Sequence, residues 1–547
     1  MSSSSPKVRN ENAERLKAQG NALHVRGQYR AAYQKYSEAI REDPMNAVYW
    51  ANRAASGLAM KEYLDACHDA ERATELDPGY MKAWARLGTA AQALSSWPTS
   101  IKAWKAGLDC LPSKLTPELE VLKSQMESGL AKALESKNKP ISADQTKVFS
   151  ADMQSRLPWK RAVPIEDDLT AKQDPNSSAF VIMGAYREFS EGVESMKKTK
   201  SCMVNGLEAK MGPPALVALS NGVMRDTRVF HLDADWIQKY NTQVQMECAS
   251  ANAWDKGGAK LVQEEAPRRL ETLGWDPVRH ALSITVRCWV MRGFYEGTLG
   301  DASAAIEYFR RALDVLEWGS NKWKDVPQDD RGVIFELSFI RGVRKMYMEA
   351  LWKGYSVKGP EIGRTMEEIA EIARQMIVET ESNPPPNNSA DPGFFASFWL
   401  YPRGAALAIL GWYHMQSART TEDATERREL YTQAAKYYAD AARSYFKDDE
   451  KHAYFLKIAL DAHWLRGDPL KITLPLCTSI RSAITEMKKI WECSADAMSL
   501  QPQFDVVLSF ETEFKGRLAE GKASLDDIAC PDYAIKPPPS KLFRSVK

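Results

Sequence analysis

An all-α fold assembled from stacked helical hairpins is predicted by three observations on the 547-residue chain. Pro44, Pro78 and Pro112 recur every 34 residues. Between these prolines, small and bulky side chains return at fixed offsets, as they must where paired helices touch. Elsewhere apolar residues recur at steps of three and four, with no convincing run of alternating strands. A long fixed period marks an array in which each unit buries its apolar face on the next.

The first elements are three repeats, counted from Ala13 as position one. Position four carries Leu16, Trp50 and Trp84, and position eight carries Gly20, Ala54 and Gly88. Position eight is where two helices of a hairpin approach closely, so larger side chains would clash. Ala32, Ala66 and Ser100 fall at position twenty, and Ala39, Ala73 and Gly107 at twenty-seven. Position twenty-four has bulky Tyr36 and Trp104, with Ala70 departing from the pattern. Position thirty-two is always proline, which cannot continue a helix. This pattern identifies tetratricopeptide repeats, antiparallel helix pairs stacked into a solenoid with a concave groove. The last repeat needs a cover. Pro117 to Leu134, with Leu119, Leu122, Met126, Leu130 and Leu134 at helical spacing, is predicted to be that capping helix. The domain is expected to span about 10–135. Residues 136–175, polar at first and containing Pro158, Pro164 and Pro175, are predicted to be linker or irregular chain.

Within the repeats a sparse polar set stands out. Lys17 and Asn21 are four apart on the first helix of repeat one, and Lys82 and Arg86 four apart on that of repeat three. Asn52 lies on the corresponding helix between them. Residues three or four apart share a helix face, so these side chains are expected to line one trough with three cations and two amides. Amides donate directional hydrogen bonds, lysine supplies compact charge and arginine a planar fork. The set suits a ligand with at least two carboxylates. Any one of the five alone would be an ordinary solvated residue; five at matching offsets are not.

The segments Leu16-Lys17-Ala18-Gln19-Gly20-Asn21, Asn52-Arg53-Ala54-Ala55 and Lys82-Ala83-Trp84-Ala85-Arg86 resemble the carboxylate-clamp repeats of chaperone-organising cochaperones. All five clamp positions are matched, and the resemblance covers a quarter of the chain. It implies a groove for the C-terminal Glu-Glu-Val-Asp tails of cytosolic heat-shock chaperones of seventy and ninety kilodaltons. By that resemblance, Lys17, Asn21 and Asn52 hold the terminal carboxylate. Lys82 meets the last aspartate side chain, and Arg86 a neighbouring peptide carbonyl.

From about 176 to 530 the chain is rich in tryptophan, alanine and helical periodicity. Trp289, Gly293, Ala305, Phe309 and Ala312 repeat the offsets of the N-terminal units, with Gly300-Asp301 as the turn. Leu407, Gly411, Ala434, Tyr438 and Ala441 do so more weakly, across an insertion. Helices are also predicted over 331–356, 360–380, 449–466, 473–496 and 504–521. The expected architecture is a second, degenerate tetratricopeptide-like solenoid; an unrelated helical domain with one repeat-like hairpin is the alternative. Asn383 to Asn388 is predicted to be an exposed loop, and 531–547, with Pro537-Pro538-Pro539, a disordered tail.

Composition narrows the function. The formal charge is only +1, from 73 basic and 72 acidic residues, so no global field calls for nucleic acid or an anionic membrane. The eight cysteines are scattered without Cys-x-x-Cys spacing, against a zinc ribbon or a disulfide framework and in favour of a reducing compartment. The N-terminus has no apolar signal core and no glycine for myristoylation. Phe394 to Tyr413 is mostly apolar, but Pro402 and Arg403 in its middle predict two buried helices meeting at a turn rather than membrane insertion. None of the seven histidines has metal-ligand spacing, and no nucleophile elbow, phosphate-binding loop or kinase signature occurs. His24, one turn beyond Asn21, borders the groove yet reads as a satisfied surface histidine. Lys256-Gly257-Gly258-Ala259-Lys260 reads as a turn.

The expectation is a cytoplasmic, non-enzymatic cochaperone or adaptor without metal or cofactor. Its groove would bind chaperone tails, and its C-terminal half an unidentified client. The alternatives are a scaffold for internal peptides and a helical enzyme recruited through its repeats.

Overall fold

The helices of the repeats form where small residues let two of them touch. The computed structural model describes residues 6–138, 156–204, 207–231, 235–385 and 391–531. Helix α1 (Pro6–Val25) pairs with α2 (Tyr29–Glu42), α3 (Ala47–Ala59) with α4 (Tyr63–Leu76), and α5 (Met81–Ala93) with α6 (Trp97–Asp109). A Cβ at Gly20 would lie 2.6 Å from the Tyr36 ring, and one at Gly88 2.5 Å from the Trp104 ring. In the middle repeat the same pair is Ala54 with Ala70, both fully buried in one cluster. The departure at Ala70 is therefore compensated across the hairpin: a smaller partner leaves room for a methyl. The terminating prolines also brace the next unit. The Trp50 indole N–H donates to the Pro44 carbonyl at 2.9 Å, and that of Trp84 to Pro78 at 2.8 Å.

Helix α7 (Pro117–Asn138) covers α6. Its buried residues are Met126, Gly129 and Ala133, with Leu122 and Leu130 partly buried. Leu134, expected on the buried stripe, is exposed. Gly129 replaces it as the key contact, because the Trp104 ring leaves only 2.5 Å for a Cβ there.

The chain divides into two compact units, Met1–Ser142 with Glu247–Phe335, and Ala143–Met246 with Glu336–Lys547. This grouping differs from the expected succession of 10–135, 136–175 and 176–530: residues 247–335 belong with the N-terminal repeats. In that first unit, α12 (Ala259–Leu273), α13 (Trp275–Thr298) and α14 (Ala302–Lys322) pack together, and α12 packs on α4. Buried Asp65 on α4 accepts hydrogen bonds from the Gly258 and Leu261 amides (3.2 and 3.4 Å), at the start of α12. Lys260 pairs with Glu62, and the Tyr63 amide donates to Glu307 at 2.9 Å. The glycines at 257–258 form the predicted turn: Gly257 has φ +89°, and a Cβ at Gly258 would lie 2.5 Å from the Asp65 carboxylate. The hairpin α13–α14 repeats the N-terminal device, with Gly293 3.0 Å from the Phe309 ring and Asp301 capping α14.

The second unit begins with α8 (Pro158–Lys172) and α9 (Ser178–Lys197). Helix α8 corrects the expectation of irregular chain before 175. Pro158 sits at its first turn, where proline needs no hydrogen bond, and buried Trp159 and Ala162 anchor it. One antiparallel hairpin follows, β1 (Lys200–Val204) and β2 (Leu207–Met211), a departure from an all-helical reading. Then come α10 (Leu216–Arg225) and α11 (Trp236–Ala251), the latter ending in the first unit.

Short α15 (Gln328–Arg331) belongs to the first unit, and the later helices of the second are α16 (Leu337–Lys358), α17 (Met366–Ser382), α18 (Pro392–Phe395), α19 (Tyr401–Thr420), α20 (Ala424–Arg443), α21 (Glu450–Arg466), α22 (Leu470–Trp491) and α23 (Ala495–Ala519). Pro502 lies inside α23, so that helix begins well before the predicted 504. A Cβ at Gly411 would be 2.9 Å from Tyr438, the small–large pair again.

Pro392–Thr420 is one continuous helical run rather than two helices meeting at a turn. A wide turn over Ala396–Leu400 precedes Pro402 and accommodates its missing N–H, and Arg403 pairs with Glu381 at 3.0 Å. The run is long and apolar enough to cross a membrane by composition, and 72% of its most apolar window is buried within the fold. The predicted tail from 532 and loop residues 386–390 lie outside the described residues.

Candidate functional site

The five predicted residues are distributed on α1, α3 and α5, the first helices of the three repeats. Each of these helices turns its small residues toward its partner, leaving the opposite side for polar groups. The structure joins three of the five directly. The Tyr36 hydroxyl donates to Asn21 Oδ1 at 2.8 Å, and Asn52 Nδ2 donates to the same oxygen at 3.2 Å. Arg86 Nη1 in turn donates to Asn52 Oδ1 at 3.4 Å. One chain of hydrogen bonds thus crosses all three repeats.

That chain has a chemical consequence. Because the Asn21 oxygen accepts two donors, its amide nitrogen keeps both hydrogens for a ligand. Asn52 keeps one. Arg86 is half-buried, and burial holds its guanidinium below its ordinary value. The groups that favour its charge are the phenols of Tyr80 and Tyr36, not carboxylates. Among the described residues no carboxylate pairs with it, and a desolvated cation so placed favours an anion or a carbonyl oxygen arriving from outside. Lys82, one turn away on α5, is exposed.

Lys17 is different. Its ammonium pairs with Glu14 on its own helix, and Glu14 also accepts the Tyr49 hydroxyl at 2.7 Å. The hydrogen bonds from Lys17 and then Tyr49 hold the Glu14 carboxyl below the usual range. The groove edge therefore carries a fixed anion that competes for Lys17. His24 Nδ1 lies 2.9 Å from Ser56 Oγ. Burial, followed by the charge of Arg86, disfavours the charged form of His24.

Sequence reasoning missed Glu14, Tyr36 and Tyr49 as members of this site. Glu14 was within reach, since it stands three residues before Lys17 on one face. At position twenty-four the sequence shows Tyr36 only as bulk. Arg53, adjacent to Asn52, faces away: it is buried, forms a two-pronged pair with Asp69 (2.6 and 2.8 Å) and lies 4.9 Å from the Trp50 ring. This fixes the rotation of α3 and thereby the direction of Asn52. Among the described residues no group of three or more His, Cys, Asp or Glu is placed to hold a metal ion.

The fold that carries this polar trough is an all-α stack of helical hairpins. No protein-family profile matches the chain. Its N-terminal region is similar to curated tetratricopeptide cochaperones. It is 40% identical over 126 residues to small glutamine-rich tetratricopeptide repeat-containing protein 2 of Saccharomyces cerevisiae, covering 23% of this chain and 36% of that protein. It is 37% identical over 101 residues to the Hsp70-Hsp90 organizing protein of Triticum aestivum, covering 18% and 17%. The chain thus spans about a third or less of these relatives' own length. A solved structure, the first TPR of Spaghetti (RPAP3) bound to the HSP90 peptide SRMEEVD, is 26% identical. It covers 24% of this chain and 96% of that one at a TM-score of 0.22, too low to bear on the fold.

Proposed function

We propose that the groove of α1, α3 and α5 clamps the acidic C-terminal tail of cytosolic heat-shock chaperones, and that the protein is a cytosolic, non-enzymatic cochaperone or adaptor. The observation that supports this reading is the Tyr36–Asn21–Asn52–Arg86 chain of hydrogen bonds, which leaves amide hydrogens for a ligand beside a guanidinium that pairs with no carboxylate among the described residues. Similarity to an Hsp70-Hsp90 organizing protein supports the choice of ligand. In this reading Asn21, Asn52 and Lys17 meet the terminal carboxylate, with Lys17 exchanging Glu14 for the ligand. Lys82 meets the last aspartate and Arg86 a peptide carbonyl. The remaining helices hold a client.

Charge-assisted hydrogen bonds contribute about 1.5–3 kcal/mol each, against the ordering of a flexible tail. A micromolar complex, roughly −8 kcal/mol, is the expected scale. Removing a desolvated clamp cation costs about 2–5 kcal/mol. The test is fluorescence anisotropy of the full-length chain with labelled SRMEEVD. Lys82→Ala and Arg86→Ala should each weaken binding at least tenfold, and wild-type affinity in both would sink the proposal.

A further inference from the structure

Forty residues apart in sequence, Cys248 and Cys288 meet in the first unit with their sulfurs 3.6 Å apart. Cys248 lies in the last turn of α11 and Cys288 in the middle of α13. Their approach is built by the backbone around them. The Cys248 carbonyl accepts the Ala253 amide at 2.9 Å, closing the end of α11. The following Trp254 amide donates to Thr285 Oγ1 at 2.9 Å, one turn before Cys288 on α13. The two thiols are therefore held in register by neighbours that do not involve sulfur.

We infer that Cys248 and Cys288 are a redox-active pair that a low-molecular-weight disulfide, such as oxidised glutathione, converts into an internal disulfide bond. Bonded sulfurs sit at about 2.0 Å, so closure brings the two sulfurs nearer by roughly 1.6 Å from their 3.6 Å contact. Either thiol can donate across the contact; with Cys288 as the donor the Cys248 thiolate is favoured, and that bond and burial push the Cys288 thiol up. Cys248 is the first nucleophile. Its thiolate attacks one sulfur of the small disulfide, forming a mixed disulfide and expelling a thiolate that takes up the proton Cys248 released. Cys288 then loses its proton, attacks the Cys248 sulfur and expels the second small thiol. Two protein thiols are oxidised by two electrons, and one small disulfide is reduced to two thiols.

The new bond closes a loop containing the whole of α12, and Gly258 and Lys260 at its start contact Asp65 of α4 and Glu62 just before that helix. Oxidation thereby staples the layer that packs on α4.

The test uses the full-length chain incubated with oxidised glutathione, quenched with N-ethylmaleimide and digested for mass spectrometry. The expected product is a Cys248–Cys288 cross-linked peptide lacking two hydrogens, formed in the monomer and lost on reduction. In Cys288→Ser, Cys248 should instead retain one glutathione. Should that variant not fold, Cys288→Ala and the wild-type peptide map carry the same decision. Full alkylation of both cysteines in folded protein after saturating oxidant would overturn the inference. So would Cys248 linked to any other cysteine.

Discussion

Gly88→Ala sets two effects of similar size against each other, and the structure decides between them. Replacing a helical glycine by alanine ordinarily stabilises by about 0.5–1 kcal/mol. Here the added carbon would lie 2.5 Å from the Trp104 ring, where good carbon contacts begin near 3.5 Å. The ring cannot withdraw. It is 2% exposed, and Gly129 of α7 closes on it to the same 2.5 Å. Overpacking of a core costs about 1–3 kcal/mol; with the ring held from both sides the cost lies at about 2–3, so the net loss is about 1–2 kcal/mol. Hydrogen exchange of the protected amides of α5 and α6 in the full-length chain should then be roughly 5- to 30-fold faster, at 1.4 kcal/mol per decade. Adding Trp104→Ala recreates the Ala54–Ala70 arrangement of the middle repeat, so the pair should cost less than the sum of its members. Protection equal to or above wild type in Gly88→Ala would refute the small–large reasoning for the four hairpins that use it.

Three further outcomes follow from other contacts. Arg53→Met leaves Asp69 buried without its main partner and should destabilise the first unit by about 3–5 kcal/mol, with Arg53→Met/Asp69→Leu recovering much of it in urea unfolding. Burial pushes the Asp65 carboxyl up to about 6, above its ordinary 3.8. The folded state thus holds that proton more tightly, and its contribution to stability grows as pH falls from about 6 toward 4. Asp65→Asn should remove this component from the pH dependence of thermal unfolding, and an unchanged difference curve would contradict the assignment. Glu14→Gln keeps an acceptor for Tyr49 but releases Lys17 from an exposed pair of about 0.3–0.5 kcal/mol. Tail affinity should rise roughly twofold, read by the same anisotropy titration.

The repeats were legible because helix contact imposes volume at fixed offsets. Gly20 with Tyr36, Gly88 with Trp104, Gly293 with Phe309 and Gly411 with Tyr438 are all pairs that spacing alone picked out. A period of 34 also carries one helix face from repeat to repeat, which is how Arg86 comes to stand 3.4 Å from Asn52. What spacing cannot show is the partner from another helix. Tyr36 orients Asn21 from α2, and nothing in the Tyr36 neighbourhood of the sequence indicates it. Residues 247–335 join the N-terminal repeats through Asp65, Glu62 and Glu307, contacts between segments some 200 residues apart. Prolines misled where position within the helix mattered: Pro158 starts α8, Pro502 lies inside α23, and Pro402 follows a wide turn. The thiol pair was hidden by its 40-residue separation.

The central claim is that the trough of Lys17, Asn21, Asn52, Lys82 and Arg86 recognises a free C-terminal carboxylate. It is tested most directly by titrating the full-length chain with the peptide SRMEEVD as the free acid and as the C-terminal amide. The account predicts micromolar binding of the acid and a loss of at least tenfold on amidation, because three of the five side chains lose their charged partner. Equal affinity for the two peptides would contradict it and point to a groove for internal segments.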